Sequence, residues 1–312
     1  MLTRRLVRIK TLQALYAWQQ ADLKSPEKGA ATLKNSLQQT HDVYLFLLEF
    51  PWHFSEYLES EKEAEKAKYY PNKEFIRTFG ILAHTPFAHD LWSRVSLRKR
   101  RHFDVSWNAL AESFNEIFKL LHAETFVVDY MVFEEPSIEQ QREFLEELYN
   151  WIILACEPFH DAMESAYAGW NDDEELLLKE VLKTINSAKA DVIHLSSQDD
   201  TEGEEIQFAL KLFETVAVNT EVYEKQISDI TDNWDPSRIA ILDLISIKMA
   251  LAEFLCFPQI PLKVTINEYL DVIKDYSTPS SSRFLNGILD KMRKKLELSG
   301  DIRKAGRGLR DK

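Results

Sequence analysis

Glycine and proline are scarce, at 8 and 10 in 312 residues. A many-turned sheet protein draws heavily on both, so their scarcity favours long helices. Cysteine is scarcer still. Cys156 and Cys256 stand outside any CxxC pair, which argues against structural zinc and a disulfide framework and fits a reduced, cytoplasmic compartment. No run approaches the roughly 18 apolar residues of a spanning helix, so no membrane association is expected. The N-terminus opens basic, but Arg8 and Lys10 interrupt the apolar run that a signal peptide needs. GxSxG, the Walker loop and GxGxxG are all missing, so hydrolase, NTPase and Rossmann readings lack their main signals.

What is present suits a packed core. Hydrophobic residues make up 45% and aromatics 12%, too much for whole-chain disorder. The net charge of −13 argues at first against nucleic acid, but the charge is unevenly spread. Residues 1–20 carry Arg4, Arg5, Arg8 and Lys10 and no acid, and residues 291–312 carry nine basic residues against Glu297, Asp301 and Asp311. Screening confines a local potential to about 8–10 Å in physiological salt, so a basic face on an acidic protein stays effective.

Apolar spacing of three and four residues recurs along the chain, and alternating strand patterns are essentially absent. The expected class is all-α. Residues 1–20 read as one amphipathic helix, with Leu2, Leu6 and Ile9 on one side and Arg4, Arg5 and Arg8 within about a 100° arc on the other. KSPEKG at 24–29 breaks that pattern. Pro51 should end or kink the next helix. Further helix candidates follow, including DLWSRVSLRKRRH and EQQREFLEELYNWIILACE, and SSQDDTEGEE at 196–205 reads as a polar loop. Beyond it, RIAILDLISIKMALAEFL is apolar on nearly every side and should be central in a bundle, after Asp235 as N-cap and Pro236 in the first turn. Its Lys248 and Glu253 should find polar partners, because an unpaired buried charge is costly. Residues 144–185 and 208–249 also align without gaps at an offset of 64. A duplication and the shared demands of buried helix pairs would both produce this.

Metal chemistry finds half a motif. Glu157-x-x-His160 has the spacing of carboxylate-bridged metal bundles, which need that motif twice. His53-x-x-Glu56 is reversed and does not supply the second copy. No metal, cofactor or enzymatic activity is expected.

Two separated segments carry a specific likeness. RRLVRIKTLQALYAWQ opens the chain, and P-x-I-P-x-K-V-x-I-N-E at 258–268 is followed by R-F-L-N-G-I-L-D-K at 283–291. In this order and spacing they resemble the NusB family. The resemblance covers residues 1–23 and about 204–298, with a basic tail to 312. It implies a NusB-like helical bundle, an RNA-binding domain of residues 1–23 plus 204–312, with residues 24–203 as an additional helical insertion subdomain of unknown role. It also implies function: binding of the boxA element of nascent RNA together with NusE, a small-subunit ribosomal protein. The complex keeps RNA polymerase from terminating early, notably on ribosomal RNA operons. The alternative is a helical interaction scaffold that kept the fold but not boxA binding, favoured by Leu6 standing where the family often has a third consecutive basic residue.

On this reading Arg4, Arg5, Arg8 and Lys10 line single-stranded RNA, with Arg283 beside Phe284 as a stacking platform. Phe284 also continues the apolar stripe of Ile288, Met292 and Leu296, so a core role stays open. Gly287 in mid-helix costs roughly 1 kcal/mol against alanine, and close helix approach is the preferred reason. Tyr16, Asn267 and Glu268 are candidate partner contacts, although Tyr16 also suits the core and the other two could simply orient loops. The basic cluster SRVSLRKRRH at 93–102 reads first as a solvated helix end and second as an extension of an RNA face.

Overall fold

The computed structural model describes all residues except 1–2, 22–24, 99, 189–192, 194, 196–198, 231–238, 277–278 and 310–312. Every regular element among the described residues is helical. The chain divides into two compact units, residues 38–197 and residues 2–37 with 198–312. The expected start of the central helix at Asp235 and Pro236 lies outside the described residues.

The unit of residues 38–197 is built from most of α2 (Pro26–Lys66), then α3 (Lys73–Ala83), α4 (Pro86–Val95), α5 (Ala111–Leu121), α6 (Thr125–Tyr130), α7 (Ile138–Leu154), α8 (Glu157–Ala166) and α9 (Trp170–Ser187). Its core is aromatic. Phe46 lies flat on Trp107 with ring centroids 4.0 Å apart. Phe50 meets Phe54, Trp107, Phe114, Tyr149 and Phe159.

Pro51 neither ends nor breaks α2, which runs through it to Lys66. Proline has no N–H, so the carbonyl of Leu47, four residues back, loses its helical partner. Tyr149 supplies the replacement: its buried hydroxyl donates to the Leu47 carbonyl at 2.7 Å. Tyr149→Phe should therefore destabilise this unit by about 1–3 kcal/mol, the penalty for a buried acceptor left unmade. Urea unfolding measures it, and a loss of a few tenths would show that the carbonyl finds relief elsewhere.

α4 stops at Val95, so the expected helix through His102 does not form. Residues 96–98 and 100–106 instead lie outside any α-helix, and the loop is fixed. One carboxylate oxygen of the buried Asp42 accepts the backbone N–H groups of Arg101 and His102 at 2.7 and 2.6 Å. His160 is engaged within the same unit. Its Nδ1 accepts from the Trp170 indole at 3.2 Å and its Nε2 meets the Ile153 carbonyl. Burial pushes the Cys156 thiol up to about 11. The thiolate is the reactive form, so Cys156 should resist iodoacetamide at pH 8 in the native chain and react on unfolding.

The other unit holds α1 (Arg4–Gln20), the first turns of α2, α10 (Asp199–Val218), α11 (Thr220–Ile230), α12 (Ile241–Cys256), α13 (Leu262–Tyr276) and α14 (Pro279–Ser299). α12 is its centre, and every residue from Ile245 to Phe254 is buried. α1, α10, α11, α13 and α14 all pack on it. Lys248 donates to Glu224 at 2.6 Å, the polar partner its burial demanded. α10 begins at Asp199, inside the stretch expected to be a loop. Gly29, read in the sequence as part of a break, lies within α2 and allows close packing. A Cβ there would stand 2.3 Å from Phe213 and 3.1 Å from Trp18.

The chain after α14 docks beside the end of α12. Ala305 donates to the Pro258 carbonyl at 2.9 Å, and Gly308 passes so close that a Cβ would sit 2.0 Å from the same oxygen. Lys304 donates to the carbonyls of Glu253 and Phe257 at 3.0 Å each. A cation there adds a second donor to these carbonyls and complements the negative end of the helix dipole.

The internal alignment has a structural counterpart. α7 and α8 end at Leu154 and Ala166, and α10 and α11 end at Val218 and Ile230, the same offset of 64. In each triplet the first helix packs on the third, α7 on α9 and α10 on α12.

Candidate nucleic-acid interface

α1 is fixed from its buried side. Leu6, Val7, Leu12 and Leu15 are buried, as are Arg8, Lys10 and Thr11. The Thr3 hydroxyl caps the helix by accepting from the backbone N–H of Leu6 at 3.2 Å. The decisive contact is Arg8, whose side chain is 2% exposed. Its Nε and Nη2 donate to the two carboxylate oxygens of Glu253 at 2.7 and 3.0 Å. Nη1 donates to Glu268 at 3.0 Å and to the Arg4 carbonyl at 3.3 Å. Glu253, wholly buried on α12, also accepts from the hydroxyls of Tyr269 at 2.8 Å and Thr265 at 3.0 Å. One carboxylate thus ties α1, α12 and α13 together. Burial acts to lower the Arg8 pKa, but the charge and hydrogen bonds of Glu253 prevail and hold it above the ordinary arginine value. Burial pushes the Tyr269 hydroxyl well up, and Glu253 adds to that.

The expected row of four open cations is therefore divided. Arg8 and Lys10 are both buried, Arg8 through its contacts to Glu253 of α12 and Glu268 of α13. Arg4 and Arg5 remain on the surface, with 40% and 47% of their side chains exposed. Arg4 pairs with Glu205 at 2.7 Å and lies over the Phe208 ring at 4.3 Å. Arg5 stands 4.0 Å from Asp271. Such exposed pairs contribute about 0–1 kcal/mol, so a phosphate can replace the carboxylates at little cost.

On α14, Arg283 is exposed and Phe284 half-buried. The apolar stripe runs through Leu285, Ile288, Leu289, Met292 and Leu296 instead, all buried. Phe284 is thus not a full core residue. Gly287 does not serve a close helix approach: among the described residues nothing lies within 4 Å of where its Cβ would stand. Arg283, Phe284 and Gly287 share one helical face, since positions three and four apart are neighbours. Asn267 is exposed on α13, whereas Glu268 turns to Arg8 and orients α1. Tyr16 is half-exposed on α1. The sequence carried a signal for Glu253 as a buried acid needing a partner. It carried none for Phe208 beneath Arg4, or for Glu205 and Asp271 as competing acids, because these contacts arise only from helix packing.

Among the described residues no helix is long and apolar enough to cross a membrane, and no three His, Cys, Asp or Glu side chains gather as a metal site.

Comparison with known proteins bears on the later part of the chain. The sequence profile of the NusB family matches residues 160–294, which takes in most of α8, all of α9 to α13 and most of α14. Three relatives called transcription antitermination protein NusB are similar over a third of this chain. That of Chloroherpeton thalassium is 39% identical over 104 residues, or 49% of its own length. That of Salinibacter ruber is 38% identical over 102 residues, 64% of its length. That of Koribacter versatilis is 34% identical over 102 residues, 70% of its length. The chain spans about half the length of the first and less than two thirds of the second. No solved structure matches it significantly. With the Koribacter relative covered over 70% of its length at 34% identity, the chain belongs to the NusB family.

Proposed function

We propose that residues 2–37 with 198–312 form a non-enzymatic RNA-binding domain of transcription antitermination. It takes up boxA-type single-stranded RNA of ribosomal RNA operons together with the ribosomal protein NusE, within the RNA polymerase antitermination complex of the cytoplasm. The observation that carries this reading is the pair Arg4 and Arg5. Both reach the surface from a helix that the buried Arg8–Glu253–Glu268 contacts anchor. A rigid cationic edge orders phosphates without having to order itself first. Arg283 and the half-exposed Phe284 add a cation and a ring for unpaired bases, and the uncovered Gly287 beside them leaves room for close approach. Arg8 supports this edge from inside, through the Arg4 carbonyl and Glu268.

A second reading has its own observation. Arg4 and Arg5 are already matched by Glu205 and Asp271, which suits a scaffold that kept the fold without boxA affinity. Titration of the full chain with boxA-type RNA and with a scrambled sequence, each with and without purified NusE, decides between them. The proposal expects binding that is tighter for boxA and strengthened by NusE. Equal and weak binding of both RNAs, unchanged by NusE, would leave the scaffold.

A further inference from the structure

The unit of residues 38–197 carries its own surface of aromatics and arginines. Trp52 of α2 and Trp92 of α4 stack with centroids 5.1 Å apart and planes 25° from parallel. His89 meets Trp52 edge-on at 5.0 Å and is exposed. Both indoles are only half-buried. Directly after α4 comes the loop of residues 96–106, which Asp42 pins by two backbone N–H groups.

Arg100 fixes the same loop from inside. Its guanidinium pairs with Glu49 at 3.1 Å, donates to the carbonyls of Phe103 and Val105 at 3.2 and 2.9 Å, and lies over the Phe46 ring at 5.0 Å. With Arg100 so used, Arg94, Arg98 and Arg101 are the exposed arginines. Trp92, Arg98, His53 and Ser96, with Glu49 and residues 103–106, line an open cleft of about 320 Å³. That volume falls at the low end of ligand pockets, about 300–1,000 Å³. Asp104 and Ser96 offer acceptors there for the amino groups of a base. The loop is therefore a built feature and not a frayed helix end.

We propose that this surface is a second binding site for unpaired nucleotides of single-stranded RNA. Bases stack on the Trp52–Trp92 pair, and Arg98 and Arg101 take the phosphates. A single-stranded polyanion with flat bases fits the combination. Arginines attract the backbone of any nucleic acid, but half-open stacked indoles add affinity only for bases that are not paired. In a chain of net charge −13, a dense cationic loop marks where a polyanion can approach this unit. The proposal rests on the RNA-binding reading of the chain, which supplies the ligand, and adds a site outside the family's bundle.

The experiment uses the full chain and a short oligouridine in which one base is 4-thiouridine. After irradiation, crosslinked peptides are identified by mass spectrometry. Affinity is measured in parallel for wild type, for Arg98→Glu/Arg101→Glu, and for Trp92→Leu. The arginines are exposed, so their reversal leaves folding intact, and circular dichroism checks Trp92→Leu. Crosslinks at Trp52, His89 or Trp92, together with a loss of affinity on the order of tenfold in the arginine variant, support the site. Crosslinks confined to α1 and α14, with the arginine variant unchanged, overturn it and leave the proposed function standing. No RNA binding by the wild-type chain overturns both. A fully paired duplex that binds as tightly as the single strand overturns the stacking role and with it the proposal.

Discussion

Replacing Arg8 with alanine is expected to destabilise the bundle of residues 2–37 and 198–312 by about 3–5 kcal/mol, the usual cost of leaving one member of a buried ion pair behind. Glu253 would keep its hydroxyl partners Tyr269 and Thr265 but lose Arg8, the cation that meets both its oxygens. Replacing both partners with apolar residues, Arg8→Met with Glu253→Leu, should restore much of the loss. Equilibrium urea unfolding measures all three proteins. An Arg8→Ala chain as stable as wild type would mean that the pair does not hold the helices together.

Phe50→Ala should cost a comparable amount, about 3–5 kcal/mol, in the other unit. Phe50 is fully buried where five aromatic rings converge. Truncation removes the ring and leaves a cavity that large, stiff neighbours fill poorly. If the unit of residues 38–197 folds independently of the other, the variant's unfolding should split into two transitions. The earlier one would report the aromatic unit, and boxA affinity would persist below the second. A single cooperative transition that loses stability throughout would instead place both units in one folding event.

Much of this architecture could be read from the residues, and the reasons for the failures are physical. The all-helical class follows from spacing, and the central place of α12 from its apolar circumference. Glu253 and Lys248 announced a need for partners, which proved to be Arg8 and Glu224. Periodicity gives the angle of a side chain about its own helix but not what covers it. Arg4 and Arg8 point the same way, yet only Arg8 lies beneath neighbouring helices. Pro51 illustrates the same limit, since the hydroxyl that lets α2 continue comes from Tyr149 on another helix. Gly29 reads from the sequence as part of a break and Gly287 as a close helix approach, and packing reverses the two: Gly29 is crowded by Phe213, while among the described residues nothing lies within 4 Å of a Cβ at Gly287. The loop after Val95 was misread because charged helix formers continue the local pattern, while the contact that ends the helix comes from Asp42.

The central claim is that Arg4 and Arg5, and not the buried Arg8 and Lys10, meet the phosphates of single-stranded RNA. Salt dependence tests this most directly. Each phosphate contact to a single strand contributes a slope of about −0.7 to log K against log salt. Wild type and Arg4→Ala/Arg5→Ala should be titrated with boxA-type RNA across a salt series, with folding checked by circular dichroism. The account predicts a variant that folds normally, binds more weakly at low salt, and has a slope shallower by about 1.4, two contacts' worth. An unchanged slope in a folded variant would contradict the account.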